Sequence, residues 1–241
     1  MKQIHFRKYI LPLVLVIMTI NCACKSNDPD SDSIQKNKIL SLNFDNNTND
    51  LSSYKNTMSV NNIIFVKDSL GNATGAAYFD GISSSITSVD KDIFDLKTSF
   101  TFSIWIKPET GNANLIQKQM DINGGGPFSF DYIGGRPRIL LYFNYSEYFL
   151  LTGNTPVALN KWQYLATTWD GNSVKLYVNG KLDNESILTN KIIMSSSKGL
   201  GIGIYQWNPS GMRYKGSMDN LEIYNTALSQ IEIENKYSQY K

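Results

Sequence analysis

The sequence predicts an all-β fold, two antiparallel sheets packed face to face and finished by one short C-terminal helix. The first observation is the run from Asn160 to Leu182, NKWQYLATTWDGNSVKLYVNGKL. Two stretches of alternating β-formers meet there at Asp170-Gly171-Asn172, and the second meets a further turn at Asn179-Gly180. Asp-Gly and Asn-Gly supply the positive φ angles of tight hairpin loops, so a three-strand meander follows. The second observation is Ser99–Lys107, in which Phe100, Phe102, Ile104 and Ile106 share one face before Pro108 ends the run. The third is spacing, with turn residues falling roughly every 8–15 positions, the rhythm of a sandwich or jelly roll.

In chain order, further strands are expected at Ile39–Phe44, Ala76–Phe79, Ser85–Ser88, Leu115–Gln119, Phe128–Tyr132, Arg138–Phe143, Tyr148–Thr152, Gly199–Ile204 and Tyr214–Tyr224. In the meander, Trp162, Tyr164 and Ala166 fall on one side of the first strand, and Val174, Leu176 and Val178 on one side of the second. Such an amphipathic meander is half of a sandwich and needs a partner sheet. Trp105, Trp162 and Trp169 are expected in the core. Ser229-Gln230-Ile231-Glu232 is a capping box that opens a helix ending near Tyr237. The stretch 38–241 carries no Pro- or Ser-rich linker and no internal repeat, and its length suits one sandwich.

Residues 1–23 read as a targeting segment. Lys2, Arg7 and Lys8 form a basic region before the apolar run Ile10–Ile20, which is too short to span a bilayer stably. Cys22 and Cys24 follow, then the polar stretch Lys25–Asp32, and the pattern resembles a bacterial lipoprotein signal. The small Ala23 favours Cys24 as the lipidated residue, with Cys22 the alternative, and 24–37 as a flexible tether. The resemblance implies a lipid-anchored protein of the outer membrane of a Gram-negative bacterium, displayed at the cell surface and touching the membrane through that lipid alone.

Removing the signal removes chemistry. The one histidine, His5, leaves with it, and lipidation takes the thiol of Cys24, so Ser-His-Asp and Cys-His catalysis and thiolate or imidazole zinc sites are excluded. Of 23 basic residues three lie in the signal, leaving 20 against 21 acidic, a net charge of −1. A nearly neutral domain has no electrostatic case for nucleic acid.

Five blocks carry a family resemblance: Leu42–Asp45; Ala77–Gly81; Phe100–Pro108; Trp162 through Trp169-Asp170-Gly171 to Leu176–Lys181; and Gly216–Asn225 with Ala227-Leu228-Ser229. In this order they resemble the laminin-G-like, concanavalin A-like lectin/glucanase jelly roll, over nearly all of residues 38–241. The resemblance implies two antiparallel sheets, and it leaves activity open, because the fold serves lectins, glycosidases, lyases and adhesive modules. It also implies a structural calcium with Asp45, the Gly81 carbonyl and Asp219 as ligands, supplemented by Asn49 or Asp50; oxygen donors suit that ion.

A group of glycosidases on this fold carries Glu-x-Asp-x-(x)-Glu on a strand. The nearest run here, Ser217-Met218-Asp219-Asn220-Leu221-Glu222, has Ser217 at the nucleophile position. The spacing of Asp219 and Glu222 fits the bulged form of that motif; without a bulge the two point to opposite faces, and with no carboxylate at 217 the motif reads as incidental. Asp121, Asp131 and Glu147 are carboxylates from which a site could be assembled across other strands, though exposed carboxylates are usually only solvated.

Aromatic side chains are the other signal. Tyr132, Tyr142, Tyr145, Tyr148, Tyr205 and Trp207 fall in or beside loops and strand ends, where flat rings can stack on sugar C–H faces. Trp207, Tyr205, Tyr132, Tyr145, Tyr148 and Arg136 form the expected ligand-binding set, beside the glycine loops 123–126 and 134–135. The preferred function is a non-catalytic carbohydrate-binding domain that holds a polysaccharide or glycan. Rival readings are a protein-interaction module of a surface complex, and a glycoside hydrolase or polysaccharide lyase.

Overall fold

In the computed structural model, which describes residues 35, 37–121, 126–206 and 211–240, the chain forms fifteen strands in two antiparallel sheets. Cys22, Cys24 and the expected signal lie outside the described residues. The eight-stranded sheet runs β13 (Lys181–Ile187), β12 (Ser173–Val178), β11 (Gln163–Trp169), β6 (Phe100–Pro108), β15 (Lys215–Tyr224), β4 (Ala76–Asp80) and β3 (Ile64–Val66), with β1 (Lys38–Leu42) also paired to β15. The seven-stranded sheet runs β10 (Tyr148–Thr152), β9 (Arg136–Tyr142), β8 (Phe128–Ile133), β7 (Ala113–Lys118), β14 (Leu200–Ile202), β5 (Ser85–Ser88) and β2 (Met58–Asn61). A C-terminal helix, α1 (Gln230–Gln239), closes the fold and carries the capping box read from sequence: Ser229 and Glu232 bond reciprocally. No described helix is long and apolar enough to cross a membrane.

The alternation of Ser99–Lys107 decides the core. Phe100, Phe102, Ile104 and Ile106 are fully buried between the sheets. Phe100 stacks on Phe102 at 4.5 Å, and Phe102 meets Phe128 of the opposite sheet at 5.0 Å. Trp169 joins this cluster, as expected. Trp105 does not lie between the sheets. It points outward, the other way along β6, and is buried because α1 covers that face: Trp105, Tyr164, Ala166, Tyr177, Tyr224, Leu228 and Ile233 form a second cluster. Tyr237 of α1 stacks on Trp105 at 5.5 Å, and Trp162 packs at the margin, half-buried. Each such ring contributes about 2–3 kcal/mol by burial, enough to fix the helix on the sheet.

Two strands went unread in the sequence. The edge strands β2 and β3 hold four and three residues, too few for a period to register. The strand expected over Gly199–Ile204 shrinks to β14, because Gly203 turns the chain at φ 71°.

One buried carboxylate ties the first loop to the sheet. Asp50 Oδ1 accepts the backbone N–H groups of Ser41 and Ser52, both at 2.9 Å. Its Oδ2 accepts the Ser52 hydroxyl and the Asn56 backbone and side-chain N–H groups, each at 2.8 Å. Asp50→Ala strands these donors in a site only 4% exposed and should cost about 3 kcal/mol, read as a lowered urea midpoint with unchanged slope.

Candidate functional site

The central strand β15 contains an extra residue. Its pairing with β6 shifts register between Asp219 and Glu222, and Asn220 takes φ 46°. Asp219 therefore opposes Trp105 and Glu222 opposes Ser103, two positions apart on β6 and so on one face. The bulge is present, so the divergence expected in its absence does not arise. Their environments nevertheless differ. Glu222 lies between Lys38 (2.7 Å) and Lys236 of α1 (2.6 Å) and accepts the Tyr224 hydroxyl at 3.0 Å. Burial pushes its carboxyl up, but the two ammonium groups outweigh burial and hold it below the usual range. Asp219, 3% exposed, goes the other way: burial, then the charges of Asp68 and Asp45, push it up to about 8. Opposed shifts of this kind mark acid–base pairs in some enzymes. Here α1 and its lysine occupy the space over Glu222.

Asp219 opens into a cavity of about 120 Å³ lined by Asn43, Asp45, Asp68, Asn72, Asn220 and Tyr240. Left-handed backbone at Phe44, Asn46 and Asn220 bends the two loop segments toward it. Asn72 gives its backbone and side-chain N–H groups to Asp68, at 2.8 and 2.6 Å. Among the described residues no three carboxylate, thiol or imidazole side chains converge tightly enough to hold a metal. The carboxylates line the wall, so an ion here would draw on the amide oxygens as well. A set made only of oxygens fits calcium, which takes 6–8 such ligands.

Three of the expected calcium ligands need correction. Gly81 lies beyond the pairing of Asp80 with Lys215, while Asp219 is four residues further along β15, about 13 Å away. Asp80 makes the turn around Gly81: burial works upward on its carboxyl, but hydrogen bonds from Ser84, Ile82 and Ser83 outweigh it and hold it well below the usual range. Asp50 is fully engaged in the knot described above, and Asn49 lines a separate depression with Thr48 and Lys55. Asp68 and Asn72, missing from the expected set, line the cavity beside Asp45 and Asp219 instead. Their only sequence signal was an Asx-type turn, Asp68-Ser69-Leu70-Gly71-Asn72.

The expected ligand-binding residues divide among several places. Tyr132 is in the core, fully buried beside Phe128 and Phe130 on the inner face of β8, so it cannot meet a ligand. Trp207 lies outside the described residues. Tyr148 is 60% exposed on the outer face of β10, where its ring meets Tyr142 at 5.3 Å and a 37° tilt. Tyr145 is exposed at the tip of the β9–β10 turn. Arg136 stands at the other end of β9, six residues or about 20 Å from Tyr142, where its guanidinium bonds the Gly153 and Asn154 carbonyls. Tyr205 precedes Gln206, whose N–H donates to Gln117 of β7 at 3.2 Å, so its loop runs over the outer face of the seven-stranded sheet.

That face carries a polar row. Asp131 of β8 is opposite Arg138 of β9 and opposite Asn114 of β7. Arg138 holds Asp131 bidentately, Nε to Oδ1 at 2.8 Å and Nη2 to Oδ2 at 3.2 Å. Burial still leaves the Asp131 carboxyl above its ordinary value. The other two carboxylates named as candidates have partners of their own: Glu147 pairs with Lys191, and Asp121 takes the Ser197 hydroxyl and N–H.

A family model described as the concanavalin A-like lectin/glucanases superfamily, of the Laminin_G_3 type, matches residues 79–234. The chain belongs to this superfamily. No curated protein matches it in sequence. Among solved structures, this concanavalin A-like domain is similar to the binding domain of Paraclostridial Mosquitocidal Protein 1, with TM-score 0.72, 15% identity, and coverage of 86% of this chain and 53% of that one. It is also similar to the binding domain of botulinum neurotoxin DC, solved with rat synaptotagmin II (TM-score 0.67, 18% identity, 86% and 52% coverage). The same neurotoxin domain solved with SialylT matches at TM-score 0.67 and 17% identity, again over 86% and 52%. The chain spans about half the length of the structures it matches, and at these identities the likeness is one of fold.

The raised Asp219 carboxyl gives this concanavalin A-like domain a pH signature. With the folded value at about 8 and the unfolded value near 3.9, the folded state alone keeps the proton between them. In chelator, stability should therefore fall as pH rises from about 4 to about 8. Urea midpoints across that range should show the decline, and Asp219→Asn should flatten it.

Proposed function

We propose that this domain is a non-catalytic carbohydrate-binding module, carried at the surface of a Gram-negative cell by a lipid on Cys24 and steadied by calcium. The observation that carries the non-catalytic part is the state of its carboxylates. A glycosidase needs two carboxyl groups facing each other across the scissile bond, roughly 5–9 Å apart. Here Glu222 is held by Lys38 and Lys236, Asp131 by Arg138, and Glu147 by Lys191. Asp219, the one carboxylate raised to about 8, faces Asp45 and Asp68 in a small acidic pocket.

Support for binding comes from the superfamily, whose name joins lectins with glucanases, and from the fold neighbours, several of which are binding domains. The calcium reading rests on Asp45, Asp68 and Asp219 with Asn43, Asn72 and Asn220 around one cavity. A bound divalent cation would ionise Asp219 and relieve the repulsion among the three carboxylates.

Affinity electrophoresis through polysaccharide gels, paired with a reducing-sugar assay, tests the function. The expected result is retardation with no sugar released; passage through every gel, or turnover, overturns it. The anchor is tested by mass spectrometry of the membrane fraction, which should find acyl chains on Cys24. Calcium should raise the melting temperature by several degrees, and Asp219→Ala should abolish the rise.

A further inference from the structure

The outer face of the β9–β10 hairpin carries an exposed stripe that neither the calcium pocket nor α1 uses. Cross-strand pairing sets Tyr142 beside Tyr148, Leu140 beside Leu150, and Arg138 beside Thr152, all on one face. Tyr148 and Leu150 of β10 are 60% and 41% exposed, whereas Leu151 of β10 and Ile139 and Leu141 of β9 point into the core and are buried. The stripe thus runs from two tyrosine rings, over aliphatic carbon, to a guanidinium. From Tyr142 to Arg138 it spans four residues, about 13 Å, the length of a short oligosaccharide rather than a single ring.

At its polar end the row continues inward. Arg138 commits two of its five N–H donors to Asp131. Asn114, on the next strand, gives its amide N–H to Ser129 at 2.7 Å, while its Oδ1 is buried and accepts no hydrogen bond among the described residues. A fully buried acceptor without a donor marks a place where a bound water is expected.

The charges along the stripe cancel in pairs: Arg138 with Asp131 at one end, Lys191 with Glu147 at the other. Such a surface favours neither an anionic membrane, which selects unpaired cations, nor an acidic sugar. It suits a molecule that alternates C–H faces with neutral hydroxyls.

Building on the carbohydrate-binding reading, we propose that this stripe is the binding site and that its ligand is a neutral oligosaccharide segment lying along β10. Its ring faces rest on Tyr148, Tyr142 and Leu150, and its hydroxyls meet Arg138 and Thr152. The tyrosines supply stacking, Arg138, which Asp131 holds in place, supplies donors, and the Thr152 hydroxyl can both donate and accept.

The test is affinity electrophoresis through gels of neutral β-glucan, xylan, mannan and galactan, using the wild-type domain with Tyr148→Ala, Tyr142→Ala and Tyr54→Ala. Tyr54 is an exposed tyrosine in the loop after β1 and serves as control. Retention is expected on at least one neutral gel and should be insensitive to added salt. Tyr148→Ala should lose it about tenfold with an unchanged melting temperature, Tyr142→Ala should lose it similarly, and Tyr54→Ala should keep it. If the wild type is retarded and Tyr148→Ala equally so, this placement is wrong while the carbohydrate reading stands. If retention vanishes with salt, or occurs only on charged polysaccharide, the neutral class is wrong. A wild type that passes every gel overturns the carbohydrate reading itself.

Discussion

The extra residue in β15 is the constraint on which both ends of the molecule depend. Before it, Lys215–Met218 pairs with β4; after it, Leu221–Tyr224 pairs with β1. One strand thus serves two neighbours on the same side while keeping β6 on the other. The residue that makes the bulge, Asn220, adopts a left-handed conformation for which asparagine is among the better-suited residues. The same kink turns Asp219 into an acidic cavity and leaves Glu222 under α1. Two carboxylates three positions apart thereby acquire opposite electrostatic fates.

The outer faces of the sandwich are equally unlike. On the eight-stranded sheet, α1 lays Tyr237 against Trp105 and brings Lys236 to Glu222, so aromatic packing and an ion pair seal the surface together. On the seven-stranded sheet the loop through Gln206 and Met212 reaches Gln117 and Asn114. The β9–β10 side keeps Tyr148 and Leu150 in solvent. Exposed apolar side chains beside a satisfied ion pair cost little when isolated, and they gain meaning when they align.

Much of the architecture was legible because a period of two is hard to counterfeit. The Phe100–Ile106 alternation and the two Gly-containing turns of the meander fix a register that the pairing of β11, β12 and β13 reproduces. The same rule could have spared Tyr132 its assignment to the surface, since it shares parity with Phe128 and Phe130. Trp105 shows the limit of the rule. Alternation puts it on the face away from Phe100, but nothing local says that a helix more than a hundred residues later will cover it. The acidic cavity was half legible for a similar reason. Asp45 and Asp219 stood in recognisable blocks, whereas Asp68 reaches the site from a loop whose course depends on β3 and β4, and Gly81 belongs to the far end of that hairpin. Position within a motif is not position in space.

The ion triad at Glu222 joins the first strand to the last helix, since Lys38 opens β1 and Lys236 lies in α1. Chain entry and chain exit therefore meet at one carboxylate on one side of the molecule. A pull on the chain ahead of β1 would reach the domain through this knot before it reached the sheets. The opposite side, where the β9–β10 hairpin lies, would be left facing outward and slack. A mechanical load would then be borne by three charged side chains and a strand edge, far from the Tyr142–Tyr148 face.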